Sequence, residues 1–251
     1  MATVSEEAPG GSLGRRRVLA LLLLVPIALA TAAWAITYTP VFDAHHIQVE
    51  GAVSLRPDAV RSLAGIEPST NVFHLQTDDV TASLLSDPWI ASATVARDLP
   101  DSIVLSIVER EPVGTIDAMG ETSILASDGT ILPASTATTS AVDALPKVQA
   151  GLGTPDAAQR AAAAALLGAL DPVVAPRVGE MSVGQDLSTT LTMRDGVTVD
   201  AGVPGMESEK AAALRAVLHW AASGGHALSS IDISVPGAPS ATLANGSTLT
   251  P

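Results

Sequence analysis

The chain has 251 residues and no cysteine, with 13 Lys and Arg against 26 Asp and Glu and a formal net charge of −13 at pH 7. The absence of cysteine excludes a disulfide framework, a thiol nucleophile and any thiolate zinc site. The acidic balance argues against nucleic acid as a partner, because phosphate binding needs clustered Lys and Arg.

Residues 1–17 read as a short cytoplasmic tail that ends in Arg15, Arg16 and Arg17. Residues 18–38 follow, 21 positions without a charged side chain. A helix of that length reaches about 30 Å, the thickness of a bilayer core. The next basic residue is Arg56. Arginines on the near side alone predict a single-pass anchor with its N-terminus in the cytoplasm and the bulk of the chain outside the cytoplasmic membrane. Trp34 and Tyr38 sit where interfacial rings belong, so membrane lipid is an expected contact through one helix. A cleaved signal peptide ending at Ala28-Leu29-Ala30 is the alternative, but the apolar run continues to Tyr38.

Beyond the anchor, His46 to Glu50 alternates and stops at Gly51, as a strand does. Pro57 to Ala64 predicts a short helix with Pro57 in its first turn. Thr77-Asp78-Asp79 opens a second helix, with the acidic pair at the positive end of its dipole. Trp89 to Arg97 alternates, which puts Trp89, Ala91, Ala93 and Val95 on one face and Ile90 on the other. After the turn Asp98–Asp101, a third strand carries Ile103, Leu105 and Ile107 on one face. The order over 43–111 is β-α-α-β-β, a three-stranded sheet on two helices.

Residues 112–245 predict a mainly β domain with two helices. Ile116 to Leu132 reads as short strands turned at Asp128-Gly129, and Ala134 to Ala144 as a mobile loop. Leu145 to Val148 starts a strand, and Pro155 to Leu170 is a helix with Asp156 at its start. Ser182 to Val199 gives two strands joined at Asp195-Gly196. Glu207 to Ala222 is a helix closed by Gly224-Gly225. Ser230 to Val235 is a strand, Ala241 to Leu243 a short last one, and 246–251 a C-terminal tail. The fold class is α+β.

Several of these stretches, in this order, resemble the FtsQ/DivIB family of bacterial cell-division proteins. Val49-Glu50-Gly51 is similar to the end of that family's first strand, and Asn71-Val72-Phe73 to the element before its second helix. Asp87-Pro88-Trp89-Ile90 with Ala93, Val95, Arg97 and Pro100 resembles a further family motif, and so does Val108-Glu109-Arg110-Glu111-Pro112-Val113. In the second half, Lys210 and Ile231-Asp232-Ile233-Ser234 match. The resemblance implies a POTRA domain followed by a β-domain. It implies a non-catalytic scaffold that recruits or regulates septal cell-wall synthesis at the division septum. The partners implied are FtsB/DivIC-like and FtsL-like single-pass proteins and septal peptidoglycan synthases.

The residues themselves offer little chemistry. His45, His46, His74, His219 and His226 are scattered and form no H-E-x-x-H motif. Glu109-Arg110-Glu111 reads as a charge cluster at a domain junction, and Asn245-Gly246-Ser247 as a turn. No enzyme activity, cofactor or metal is expected. An open strand edge can accept a strand from another chain. The family's use of its final strands carries this to Ser230, Ile231, Asp232, Ile233, Ser234 and Val235, and to Ala241, Thr242, Leu243 and Ala244. The alternatives are an envelope hydrolase, which needs a nucleophile or metal cluster, and a POTRA-bearing translocation component, which needs repeated units and a barrel.

Overall fold

The computed structural model describes residues 12–67, 70–118, 121–134, 139–151 and 153–249. The tail 1–11, part of the segment expected to be a loop (135–138) and residues 250–251 lie outside the described residues. Helix α1 runs Ser12–Ile36, so it begins ahead of Val18 and takes in the three arginines. Its side chains are described only from Leu22 onward, and among the described residues no helix is long and apolar enough to cross a membrane.

The first domain has the expected β-α-α-β-β order. It comprises β1 (His46–Glu50), α2 (Pro57–Ala64), α3 (Thr77–Leu85), β2 (Ile90–Asp98) and β3 (Ser102–Glu109). β3 lies in the middle, parallel to β1 and antiparallel to β2. Ile103, Leu105 and Ile107 are buried, as their alternation requires. Gly51 closes β1 at φ 82°, and a Cβ there would run into the Ile107 carbonyl, so only glycine fits.

The face assignment along β2 needs one correction. Trp89 and Ile90 are both buried, at 2% and 1% exposure. The register shifts between Ile90 and Ser92, so Ala91 is an extra residue in a bulge. A bulge reverses the parity of the strand beyond it. Ile90 therefore shares its face with Ala93 and Val95, and Ala91 is exposed.

The remaining strands form one ten-stranded sheet. They are β4 (Pro112–Ala118), β5 (Glu121–Ala126), β6 (Ile131–Pro133), β7 (Lys147–Ala150), β8 (Val178–Val183), β9 (Thr189–Met193), β10 (Thr198–Gly202), β11 (Leu228–Asp232), β12 (Ser240–Leu243) and β13 (Thr248–Leu249). Their spatial order is β13-β12-β11-β10-β9-β8-β7-β4-β5-β6. Helices α5 (Ala157–Ala169) and α6 (Glu207–Gly224) pack against it through Leu166, Leu167, Leu214 and Val217, which meet Met181, Leu191, Val199 and Ile231. Asp156 caps α5 in a reciprocal box with Gln159, and Gly225 ends α6 in the left-handed region.

Three sequence expectations change here. The hairpin region holds three strands rather than two, because β8 starts at Val178 and the chain turns at Gly184–Ser188 before β9. Thr139–Ala144, expected in a mobile loop, is a helical turn, α4. The tail contributes a strand, β13, that periodicity could not reveal in two residues.

The two domains share a core. Ile124, Leu125 and Ala126 are consecutive and all buried, which a strand allows only when both of its faces are covered. Leu125 faces the helices of the large sheet, while Ile124, Ala126 and Leu132 join the core of the first domain with Trp89 and Leu84. The junction at 111/112 is thus a chain boundary but not a packing boundary.

Candidate functional site

The chemistry-bearing residues singled out from the sequence are dispersed. No group of three or more His, Asp or Glu that could hold a metal occurs among the described residues. Asp78 and Asp79 sit in the first turn of α3. Glu109, Arg110 and Glu111 do lie at the junction. The Glu109 carboxylate accepts from the backbone N–H groups of Val53 (2.8 Å), Ser54 (2.8 Å) and Leu55 (2.9 Å). Burial pushes this carboxyl up, but the hydrogen bonds from Leu55, Ser54 and Val53 outweigh it and hold its pKa below the ordinary value. Arg110 donates to Asp128 Oδ2 (2.7 Å) and to the carbonyls of Pro88 (2.6 Å) and Ile90 (2.8 Å). Burial works against the Asp128 charge, but the Arg110 guanidinium and Thr130 lower its pKa. Glu109, Arg110 and Asp128 are thus engaged by structural partners.

The two ends of the large sheet differ. One end of the large sheet, β6, is covered by the first domain. Leu132 is fully buried there, and Trp89 Nε1 donates to the Pro133 carbonyl at 3.4 Å. The other end is β13.

The residues expected to form a strand edge divide into two groups. Ser230, Ile231 and Asp232 are not at an edge, because β11 is bonded to β10 on one side and β12 on the other. Ile233 is fully buried, and its N–H donates to the Asp200 carbonyl. Ser234 donates through N and Oγ to Asp232 Oδ1, a turn that ends the strand and leaves Val235 outside it, 61% exposed. A sequence pattern marks a strand without marking its neighbours, which is why β11 could be mistaken for an edge. Ala241 and Thr242 lie one strand further out, but β13 covers them, with Ala241 opposite Leu249 and Thr242 opposite Thr248. Leu243 and Ala244 lead into the turn, where Asn245 Oδ1 accepts from Ser247 N and Oγ.

The open groups belong to Thr248. Leu243 N–H donates to Ser247 O and Gly246 N–H to Leu243 O, so Leu243 and Ser247 form the bonded pair beside the turn. The next pair, Thr242 and Thr248, is then the non-bonded type, in which N–H and C=O point away from each other. Those of Thr242 point into the sheet and those of Thr248 point out of it. Leu249 alongside is 41% exposed. This two-residue outer strand can accept an extended segment.

The anchor residues are placed as follows. Arg15, Arg16 and Arg17 lie in α1, and their side chains are outside the described set. Trp34 and Tyr38 meet edge to face at the far end of α1, 5.3 Å between ring centres, and are 61% and 58% exposed.

Comparison with known proteins gives matches over both domains. Residues 42–110 match the family model for the POTRA domain, FtsQ-type, and residues 115–234 that for cell division protein FtsQ/DivIB, C-terminal. The cell division protein FtsQ of Mycolicibacterium smegmatis is 31% identical over 215 residues, covering 85% of this chain and 63% of that protein. The cell division protein FtsQ of Mycobacterium tuberculosis is 30% identical over 221 residues, covering 86% of this chain and 69% of that protein. The chain thus spans about two thirds of the length of these relatives. The extracytoplasmic domain of DivIB from Geobacillus stearothermophilus aligns at 19% identity over 45% of this chain and 92% of its own, with a TM-score of 0.33.

Proposed function

The chain belongs to the FtsQ/DivIB family of cell-division proteins, and on that premise we propose that it is a non-catalytic scaffold of the divisome. In this reading residues 18–38 anchor it once in the cytoplasmic membrane, and the two domains work outside. It recruits or regulates septal cell-wall synthesis proteins by contact. Its partners are small single-pass chains of the FtsB/DivIC and FtsL kinds. The hydrolase and translocation alternatives draw no support from the family matches.

The observation that carries the reading is the asymmetry of the large sheet. Its β6 end is covered by the first domain through Trp89, Pro133 and Leu132, while its β13 end leaves the backbone groups of Thr248 outward. Main-chain pairing there would supply affinity, and the Leu249 side chain a contact that selects the partner. The binding residues are then Thr248 and Leu249, with Ala241, Thr242, Leu243 and Ala244 as the strand and turn that support them.

The test is co-purification from membranes of the tagged full-length chain beside Thr248→Pro. Proline removes the outward N–H and is tolerated on an edge strand. Wild type is expected to bring down small single-pass division proteins, and the variant to lose them while melting as wild type does. Equal recovery by both would move the contact elsewhere. No recovery by wild type would end the scaffold reading.

A further inference from the structure

We propose that the first domain rests on the membrane through an uncharged aromatic lip built from Val41, Phe42 and Phe73, locked to α1 by His74. The proposal rests on the reading of α1 as a membrane anchor.

The anchor does not join the first domain by a free tether. Asn71 Nδ2 donates to the Thr37 carbonyl at 2.7 Å, and Thr37 Oγ1 lies 2.9 Å from His74 Nε2. The Tyr38 ring stacks on His74, 4.2 Å between centres and 22° from parallel. Behind them Val72 N–H donates to the Phe42 carbonyl at 2.7 Å, and Asp43 bridges to Asn71. These contacts fix the direction in which α1 leaves the domain.

A continuous set of rings runs outward from that lock. Trp34 meets Tyr38, Tyr38 meets His74, His74 meets Phe73, and Phe73 meets Phe42 at 6.0 Å. Four of the six Phe, Trp and Tyr residues in the chain are here. The fold leaves three of them exposed, Trp34 at 61%, Tyr38 at 58% and Phe73 at 44%, with Phe42 half-buried and Val41 beside it 64% exposed. Aromatic side chains with one apolar and one wet side favour the lipid headgroup region.

The charges agree with a lipid surface. Residues 31–42 and 70–76 carry no Asp, Glu, Lys or Arg in a chain of net charge −13, and the acidic residue next to them, Asp43, is half-buried and bridged to Asn71. An acidic domain is repelled by anionic lipid, so it can approach only by an uncharged surface. Arg97 donates through Nη2 to the Leu75 carbonyl at 2.6 Å, two residues on from Phe73, and belongs to none of the ion pairs among the described residues. It stands where a lipid phosphate could meet it. The occupant is therefore the bilayer interface itself. The lip sets the height and tilt at which the partner-binding edge of the second domain is presented.

The chain has no cysteine, so single labels are straightforward. The full-length protein is reconstituted in vesicles of phosphatidylethanolamine and phosphatidylglycerol, with an environment-sensitive fluorophore on Phe73→Cys, Val41→Cys, Ile27→Cys or Ser92→Cys. Quenching by a nitroxide carried near the lipid headgroup is compared with quenching by a deep nitroxide and by aqueous iodide. The labels at 73 and 41 are expected to lose more than half their emission to the shallow nitroxide, the label at 27 to the deep one, and the label at 92 only to iodide. If 73 and 41 behave as 92 does while 27 stays embedded, the lip is overturned and the anchor stands. If 73 and 41 are shielded from both iodide and nitroxide, the lip faces protein and the lipid assignment is overturned. If 27 is not embedded, the anchor reading falls and this proposal with it.

Discussion

Arg110 Nε lies 2.7 Å from Asp128 Oδ2, and this one contact ties the end of the first domain's last strand to the β5–β6 turn of the second. The same guanidinium holds the Pro88 and Ile90 carbonyls at the mouth of β2. Planar and permanently charged, the guanidinium serves three acceptors in two domains from two nitrogens held in a rigid fork, a geometry that lysine's single nitrogen does not reproduce. Behind it the shared core of Trp89, Ile124, Ala126 and Leu132 completes a stiff joint.

Arg110→Ala should therefore destabilise the protein by about 2 kcal/mol, because it strands the Ile90 carbonyl, which is partly buried, together with the exposed Pro88 carbonyl and a carboxylate. Asp128→Asn should cost about 0.5 kcal/mol, since Asp128 is 46% exposed and solvent screens the pair. Chemical denaturation of the two variants checks the ratio. Equal losses would mean that the ion pair, and not the carbonyl clamp, holds the joint.

Glu109 predicts an acid limit. Its pKa is lower in the folded protein than the ordinary carboxylate value it regains on unfolding, so its charge stabilises the fold above that ordinary value. That contribution is lost as pH falls through the lower folded value. Asp128, also held below its ordinary value, acts in the same direction. Glu109→Gln should flatten the fall in stability below pH 4.5 and loosen residues 53–55. Thermal melting against pH reads the first effect, and amide exchange at Val53, Ser54 and Leu55 the second.

Ile233 and Thr248 allow the proposed edge to be tested apart from the fold. Ile233 is fully buried, so Ile233→Glu should cost about 4 kcal/mol or more and unfold the β-domain. A loss of partners in that variant would say nothing about an edge. Thr248→Pro should change stability by no more than about 1 kcal/mol, because the N–H it removes points outward and an edge strand tolerates proline. Circular dichroism melts of the two should differ by many degrees. Similar melts would place Thr248 in a more ordered setting than an outer strand.

Gly51→Ala should be among the costliest single-methyl additions in the chain. Its φ of 82° disfavours any side chain, and a Cβ would run into the Ile107 carbonyl. A loss of about 3 kcal/mol is expected, from strain and a displaced ladder. Gly65→Ala is the control: its φ is 64° but nothing lies within 4 Å of a Cβ, so only about 1 kcal/mol should be lost. Urea midpoints of the pair measure the difference.

Hydropathy period, helix punctuation and turn residues made the β-α-α-β-β block and the two long helices legible. Asp156 before α5, Gly225 after α6 and Asp195-Gly196 between β9 and β10 act within a few residues of themselves, and each lies where local chemistry places it. The apolar segment and its arginines are legible for the same reason, and so is the order of motifs that marks the family. The edge was not legible. Ser230–Val235 and Ala241–Ala244 alternate as well as any strand, but alternation reports which side of a strand is apolar and carries nothing about which strands flank it. Only the spatial order puts β11 inside the sheet and β13 outside it. The bulge at Ala91 and the two covered faces of β5 belong to the same class, being settled by register and by the neighbouring domain. The docking of α1 through Thr37, Asn71 and His74 joins residues more than thirty positions apart, and only tertiary packing could bring them together.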